Sequence, residues 1–350
     1  MMCRMNRQYD ILLVGAGPLG LEVAVGLKKA GLDYVHVEAG QIGATMGWWA
    51  TGTRWFSSND RIAIAGVPLV TPGQEKASRE EYLAYLRSVV EQFDLQIQTY
   101  RRVVGIERQG DVFHVTVQSA LQPEALPETV TARRIILATG GTEKPNLLNI
   151  PGEDLGHVSH YFRDPHAYFR KRVLIVGGRN SAVEAALRCH RAGANVTFSY
   201  RRDTIDKESI KYWLYPEFIA LCKTGKITAH WHTLPTRITP EAVTLQNGDG
   251  TTLDVSADFV LLLTGYCADM SLCAMAGVTL EGERQTPTFD PETMQTNVPG
   301  VYVAGTAVAG TQHGYKVFLE NCHVHVERIV AHLSGQPVHV AETKFDRPET

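Results

Sequence analysis

The chain has 350 residues, enough for two domains at about 150 residues each. Its 44% apolar content supports an ample core, and a net charge of −3 with a pI near 6.5 offers no field for nucleic acid or an anionic membrane. No apolar run reaches the roughly 18 residues of a transmembrane helix, MMCRMNRQYD lacks a signal peptide's apolar centre, and six scattered cysteines have no metal-ligand spacing; a cytoplasmic setting is expected.

The first informative stretch is DILLVGAGPLG, Asp10 to Gly20. Ile11 to Val14 reads as a strand buried on both faces of a parallel sheet. Gly15, Gly17 and Gly20 then give G-x-G-x-x-G: one glycine for the tight turn, one for close approach to a pyrophosphate, one for close helix packing. A helix over Leu19 to Lys29 follows, its N-terminus presenting N–H groups and a positive dipole to phosphate. A strand over Tyr34 to Val37 ends at Glu38, where a carboxylate accepts hydrogen bonds from a ribose.

Next comes a loop with Trp48, Trp49, Trp55 and Phe56, running into FSSND at Phe56 to Asp60. These aromatics serve as core and loop packing, or cover an aromatic ligand's ring. The spacing of Tyr82, Leu83, Leu86, Val89 and Val90 predicts a helix over Ser78 to Phe93. Leu95–Tyr100, Arg102–Arg108 and Val112–Gln118 are expected to form a β-meander inserted in the sheet. Arg134 to Ala138 is a buried strand ending in ATGG, Ala138 to Gly141, small residues that let the chain pass close under a dinucleotide.

RVLIVGGRNSA, Arg172 to Ala182, repeats the opening pattern. A strand over Val173 to Val176 enters Gly177, Gly178, Arg179, Asn180, Ser181 and Ala182, then a helix over Val183 to Arg191. Arg179 replaces the usual third-position glycine and brings a cation beside a phosphate. The strand Asn195 to Tyr200 ends in Arg201 and Arg202, and a guanidinium pair suits a 2′-phosphate. An acid after one turn and arginines after the other imply two dinucleotides, FAD first and NADPH second. Strands follow over Ile227–His232, Ala242–Gln246 and Phe259–Leu263, the last running into Thr264, Gly265 and Tyr266. NVPGVYVAGTAVAG, Asn297 to Gly310, is a further strand and glycine turn, and a helix over Tyr315 to Leu333 closes the pattern.

These landmarks resemble the thioredoxin-reductase-like flavoproteins with two dinucleotide-binding domains, from about Tyr9 to Leu333. The resemblance implies an α/β fold of two Rossmann-like domains, the NADPH domain inserted in the FAD domain: residues 1–144 and 268–350 for FAD, 145–267 for NADPH. A narrower resemblance rests on FSSND with VPL, HYFRDPHAYF (His160 to Phe169), GGRNSA, AGANVTFSYRR and the run Ser209 to Phe218. Together they are similar to the bacillithiol disulfide reductase (YpdA) family. It implies FAD contacts from Gly15, Gly17, Pro18, Leu19, Gly20, Glu38, Ala39, Phe56, Ser57, Val104, Thr139, Gly140, Gly305, Thr306, Val317 and Phe318. For NADPH it implies Gly177, Gly178, Arg179, Asn180, Ser181, Tyr200, Arg201, Arg202, Gly265 and Tyr266. Like that family, the chain has Thr306 where most relatives carry aspartate.

No catalytic residue is identified. Asn180 to Arg191 contains only Cys189, no cysteine lies between Cys3 and Cys189, and no C-x-x-C is present. Members of the resembling family carry a cysteine in the first glycine loop, and Leu19 stands at that position. The expected activity is an NADPH-dependent reduction of a low-molecular-weight disulfide or another small acceptor, in a homodimer or higher homo-oligomer. A flavin monooxygenase is the alternative, although Asp154 occupies the phenylalanine of that family's F-x-G-x-x-x-H; a redox-sensing or partner-docking flavoprotein is a third. His323 and His325 are expected on different faces of a helix, and His230 and His232 on one face of a strand, neither pair with a third metal ligand.

Overall fold

The computed structural model describes residues 7–312, 314 and 316–336; Cys3 and Tyr315 lie outside them. From its start the chain forms β1 (Gln8–Val14), α1 (Pro18–Lys29), β2 (Tyr34–Val37), α2 (Arg79–Gln92), β3 (Ile97–Gln98), β4 (Arg101–Gln109), β5 (Val112–Ser119) and β6 (Glu128–Leu137). Ile11, Leu12 and Leu13 have no exposed surface, so β1 needs neighbours on both edges and cover on both faces. Those neighbours are β2 and β6, both parallel, with Val14 opposite Val37 and Leu137. The sheet order is β3-β2-β1-β6-β5-β4. The first half of β6 pairs antiparallel with β5; its second half is free on that edge for a strand from the C-terminal part of the chain.

Contacts divide the chain into two compact units. The first takes the chain up to Gly47, Arg54–Lys144 and from Tyr266 onward; the second takes Trp48–Thr53 and Pro145–Gly265. The second unit contains β7 (Val158–Ser159), β8 (Arg172–Val176), α3 (Asn180–Arg191), β9 (Asn195–Tyr200), β10 (Thr228–Trp231), β11 (Thr233–Ile238), β12 (Ala242–Asn247), β13 (Thr252–Ser256) and β14 (Phe259–Leu262). Five of these strands form a parallel sheet in the order β10-β9-β8-β14-β7, and β11-β12-β13 form a separate antiparallel sheet. The small apolar face of α3, Ala182, Val183, Ala185, Ala186 and Leu187, lies in the core against Phe198 and Phe218. Back in the first unit, β15 (Val301–Val303) fills the open edge of β6, and α4 (His323–Ser334) packs on α1. Gly26 of α1 makes that packing close: a Cβ there would lie 2.8 Å from Val330 Cγ2.

Two buried histidines hold backbone turns in the first unit. His36, fully buried in β2, donates from Nε2 to the Gly15 carbonyl at 2.8 Å. His325 accepts the Gly305 N–H on Nδ1 at 3.2 Å. Burial lowers both imidazoles to about 4; for His325 the neighbouring Arg328 and His323 charges add to it. His323 differs. Burial lowers it, but its 2.7 Å bond to Glu22 and that carboxylate's charge outweigh burial, and its pKa is raised. Its other nitrogen meets the Arg61 carbonyl at 3.0 Å, and Glu22 accepts the Ala65 N–H at 3.0 Å, so α1, α4 and the 61–65 loop are tied at one point.

Several sequence expectations change. Leu95–Tyr100 is not a meander strand; only Ile97–Gln98 pairs, and it pairs parallel with β2. Asp94 and Tyr100 have positive φ, which breaks the extended run at both ends. The closing helix starts at His323, not near 315. Gln312 Oε1 takes the Lys316 and Val317 N–H groups and Asn321 Oδ1 takes that of Phe318, withdrawing donors from a helix. Trp48 to Thr53 goes with the second unit, where Trp48 packs edge-on against Tyr161 at 4.9 Å and Arg188 donates to the Thr51 carbonyl. His232 lies past the end of β10 with φ of 55°, so it does not share a strand face with His230. Among the described residues no helix is long and apolar enough to cross a membrane.

Two predictions follow from this packing. A Cβ on Gly20 would sit 1.9 Å from the Gly15 carbonyl oxygen, whereas one on Gly17 meets nothing within 4 Å. Gly20→Ala should destabilise the apoprotein by about 3 kcal/mol, the upper range for overpacking, and Gly17→Ala, which meets no clash and only weakens the N-cap, should cost no more than about 1 kcal/mol. Equal melting temperatures for the two variants would contradict the close approach. The second concerns acid. Unfolded imidazoles take a proton near pH 6.5, but folded His36 and His325 stay neutral to about 4. The unfolded state therefore binds more protons across that window, and stability falls as pH drops from 6.5 to 4. His323 has the opposite sign: its contribution is full in acid and is lost as pH rises through its raised folded pKa. His325→Leu should flatten the acid limb of a urea-denaturation series; an unchanged slope would contradict a neutral buried His325.

Candidate dinucleotide sites

In the first unit the turn between β1 and α1 is shaped by what it must avoid. Gly15 has φ of 103°, and a Cβ there would lie 2.5 Å from the Ala138 carbonyl oxygen. Gly17 is the N-cap of α1 in extended conformation, no side chain caps the helix, and Pro18 at its first turn has no N–H. The helix N-terminus thus opens onto free space, a cradle for an anion. Glu38, one residue past β2, is aimed by two backbone donors: Ala16 N–H at 2.6 Å on Oε2 and Gly40 N–H at 2.7 Å on Oε1. A carboxylate fixed beside an uncapped glycine turn fits a dinucleotide with an unphosphorylated ribose, as in FAD.

The Gly305–Thr306 turn and the end of β6 come to this turn, and the other expected residues have surroundings of their own. Gly305, with φ of 71°, faces Leu19, whose Cβ is 3.3 Å from where a Gly305 Cβ would be. A Cβ on Gly141 would lie 3.2 Å from the Thr306 carbonyl oxygen, which brings Gly141 to the Gly305–Thr306 turn. Val317 and Phe318 follow in a segment pinned by Gln312 and Asn321. Phe56, 37% exposed, lies beneath the Lys76 ammonium, 5.2 Å from its ring centre, and Ser57 is buried. Val104 is the bulged residue of β4, and Ala39 follows Glu38 half-buried. Residues that sequence reasoning missed stand behind these. They are His36, His325, Gln312, Asn321 and Glu143, the last with Oε1 only 2.7 Å from a Gly140 Cβ and a pKa raised by burial. His36, His325 and Glu143 act through bonds to residues far along the chain, at Gly15, Gly305 and Asp269, whereas Gln312 and Asn321 bond backbone groups only a few residues away, inside their own segment.

The second unit repeats the geometry with different chemistry. Gly177 has φ of 146°, and a Cβ there would lie 2.4 Å from the Leu263 carbonyl oxygen. Arg179 is the N-cap of α3, again with no side-chain cap. Asn180 Oδ1 accepts the Lys211 N–H at 2.6 Å, while Lys211 Nζ meets Glu184 at 2.9 Å. These bonds tie Lys211 to α3. Ser181, Arg201 and Arg202 are exposed, and Tyr200 is half-buried at the end of β9. Gly265 stays in this unit, bonded by its carbonyl to Asn146 N–H at 3.0 Å; Tyr266 falls in the first unit. Exposed guanidinium groups after an uncapped turn fit a phosphorylated ribose, as in NADPH.

The described cysteines form no disulfide. Burial pushes the Cys189 and Cys273 thiols up to about 12, burial with the Glu22 charge does the same for Cys322, and Cys222 rises to about 11. The Cys267 thiol points to the Lys144 carbonyl at 3.6 Å. Among the described residues no group of three or more His, Cys, Asp or Glu is arranged to hold a metal ion.

Comparison with known proteins agrees with this arrangement. Residues 12–305 match the family model described as pyridine nucleotide-disulphide oxidoreductase. The chain is 34% identical over 333 residues to bacilliredoxin reductase Bdr of Bacillus subtilis, covering 95% of this chain and 99% of that one. It is 28% identical over 310 residues to a ferredoxin–NADP reductase of Ignicoccus hospitalis, covering 85% and 89% of the two chains. The solved structure of bacillithiol disulfide reductase Bdr (YpdA) from Bacillus cereus superposes with a TM-score of 0.88 at 33% identity, over 94% of this chain and 99% of that one. The chain therefore belongs to the pyridine nucleotide-disulphide oxidoreductase family, in the branch that includes the Bdr reductases.

Proposed function

We propose that this chain is an NADPH-dependent FAD reductase that serves a small disulfide acceptor without a protein dithiol, as a homodimer or higher homo-oligomer. One observation carries the reading: two turns of one architecture end in opposite chemistry, a backbone-aimed carboxylate at Glu38 and exposed guanidinium groups at Arg201 and Arg202. FAD, when bound, supplies the step that accepts a hydride from NADPH and returns two electrons to an acceptor. The chain's own residues bind and orient. The α1 N-terminus takes the pyrophosphate of the flavin nucleotide and Glu38 its ribose. His36 and His325 keep the Gly15 and Gly305 turns in place without carrying charge. Arg201 and Arg202 take the 2′-phosphate of the second nucleotide.

The names of the similar Bdr proteins, a bacilliredoxin reductase and a bacillithiol disulfide reductase, support a disulfide as acceptor. Leu19 separates this chain from the thiol route of the resembling family. A thiolate is the nucleophile in disulfide exchange, and Leu19 is a buried hydrocarbon against Gly305. The buried thiols with raised pKa stay protonated, which leaves them poor nucleophiles. The same observation, with the ferredoxin–NADP reductase relative, favours a second acceptor class, a one-electron carrier that needs no thiol. A flavin monooxygenase from Stenotrophomonas maltophilia superposes over the same share of the chain, but at 21% identity that likeness speaks for the fold alone.

The purified protein should be yellow and release FAD on denaturation. Glu38→Ala should weaken FAD binding by roughly 1.5–3 kcal/mol, the range for a hydrogen bond to a charged group, as measured by flavin-fluorescence titration of the apoprotein. Recovery of FMN instead would contradict the assignment. Alanine at Arg201 and Arg202 should raise the Michaelis constant for NADPH and leave that for NADH almost unchanged; equal losses would make the pair structural. Wild-type protein should already turn over bacillithiol disulfide, and Leu19→Cys should change the rate little once its folding is checked. A large gain in Leu19→Cys would mean that the loop thiol is needed.

A further inference from the structure

The two glycine turns can be compared residue by residue. In the first unit the Gly15 N–H bonds the Val37 carbonyl at 2.9 Å; in the second the Gly177 N–H bonds the Ser199 carbonyl at 3.1 Å. Val14 stands opposite Val37 and Val176 opposite Ser199 in the two parallel pairs. The residue in the place of Glu38 is therefore Tyr200, and the residue in the place of Ala16 is Gly178. Arg201 and Arg202 come one and two positions later.

The contents of the two places differ. In the first unit the Glu38 carboxylate takes the Ala16 N–H at 2.6 Å. In the second, a Cβ on Gly178 would lie 2.1, 2.3 and 2.4 Å from Cε2, Cζ and Cδ2 of Tyr200. The phenol ring lies over the Gly178 peptide, where a ribose-reading acid would lie. Gly178 is not among the glycines with positive φ, so its backbone conformation accepts any L-residue. What excludes a side chain at 178 is the ring of Tyr200. The end of β9 is also fixed from below, because Ser199 Oγ and Thr233 Oγ1 are bonded at 2.8 Å in the core.

We propose that Tyr200 is a specificity-determining residue that rejects the unphosphorylated coenzyme by filling the place of the ribose-reading carboxylate. The proposal rests on the second unit being the one that binds the nicotinamide nucleotide. Selectivity then has two parts. Arg201 and Arg202 attract the 2′-phosphate, and Tyr200 removes the acceptor that a free 2′,3′-diol would need, the repulsive half of a specificity device. Gly178 serves the ring and not the phosphate.

The test is calorimetric binding of two probes, 2′,5′-ADP and 5′-ADP, to the FAD-loaded protein and its variants. Wild type should prefer 2′,5′-ADP. Tyr200→Glu should raise 5′-ADP affinity about tenfold, the low end for a charge-assisted bond, and lower that for 2′,5′-ADP. The double variant Gly178→Ala with Tyr200→Glu copies the Ala16–Glu38 pair, and should do the same if the single variant folds poorly. Tyr200→Phe keeps the ring and should keep the wild-type preference. If wild type binds 2′,5′-ADP but 5′-ADP affinity is unmoved in both glutamate variants, folded and FAD-loaded, the proposal is overturned alone. If wild type binds neither probe, the reading of the second unit falls and the proposal with it.

Discussion

The close crossing of the first glycine turn over the end of β6 is the constraint on which the first unit depends. Gly15 comes so near the Ala138 carbonyl, and Gly20 so near the Gly15 carbonyl, that neither position has room for a methyl group. That contact sets the height at which α1 lies on the sheet, and so where its uncapped N-terminus opens. The same strand end continues into Thr139–Gly141, which meets the Gly305–Thr306 turn from the far end of the chain. Segments separated by most of the sequence are thus brought to one place by the packing of peptide on peptide, a geometry that tolerates no side chain and little drift.

Around this contact the chain uses neutral polar groups where charges would be costly. His36 and His325 each make one bond to a glycine turn, and burial keeps both uncharged. Several charged side chains have backbone or ion-pair partners. Glu38 has two backbone donors, and Glu22 has His323 and the Ala65 N–H. The second unit keeps the turn but changes its electrostatic sense: a ring replaces the acid, and two exposed arginines follow. In such a protein the fold supplies two similar cradles, and a few residues past each second strand decide what each can hold.

The parallel β-α-β segments were legible in the sequence because their signals are local. A strand buried on both faces is a run such as Ile11–Val14 or Val173–Val176, and a glycine turn with its helix follows directly. β2 and β9 match their expected limits, Tyr34–Val37 and Asn195–Tyr200. What was not legible depends on which backbone or side-chain group a polar residue bonds, and hydrophobic periodicity does not report that. The start of α4 is decided by Gln312 and Asn321 taking backbone donors that a helical pattern of apolar residues would assign to a helix. Asn180, in a nucleotide fingerprint by spacing, is turned toward Lys211 by a loop some thirty residues on. The Trp48–Thr53 segment reads as part of the first unit because it sits inside it in sequence, yet Arg188 and Tyr161 hold it in the second. The placement of Tyr200 against Gly178 is visible only when the two units are compared in register.

In the proposed mechanism the electrons taken from NADPH rest on the flavin alone. Leu19 replaces the loop thiol, and four of the described cysteines are held as buried or half-buried thiols with raised pKa. The most direct measurement is an anaerobic titration of the FAD-loaded protein with NADPH, followed by flavin absorbance and a count of free thiols. The account predicts that a single equivalent bleaches the flavin completely and that the thiol count does not change. Uptake of a second equivalent, with two new thiols and a long-wavelength thiolate–flavin band, would contradict it.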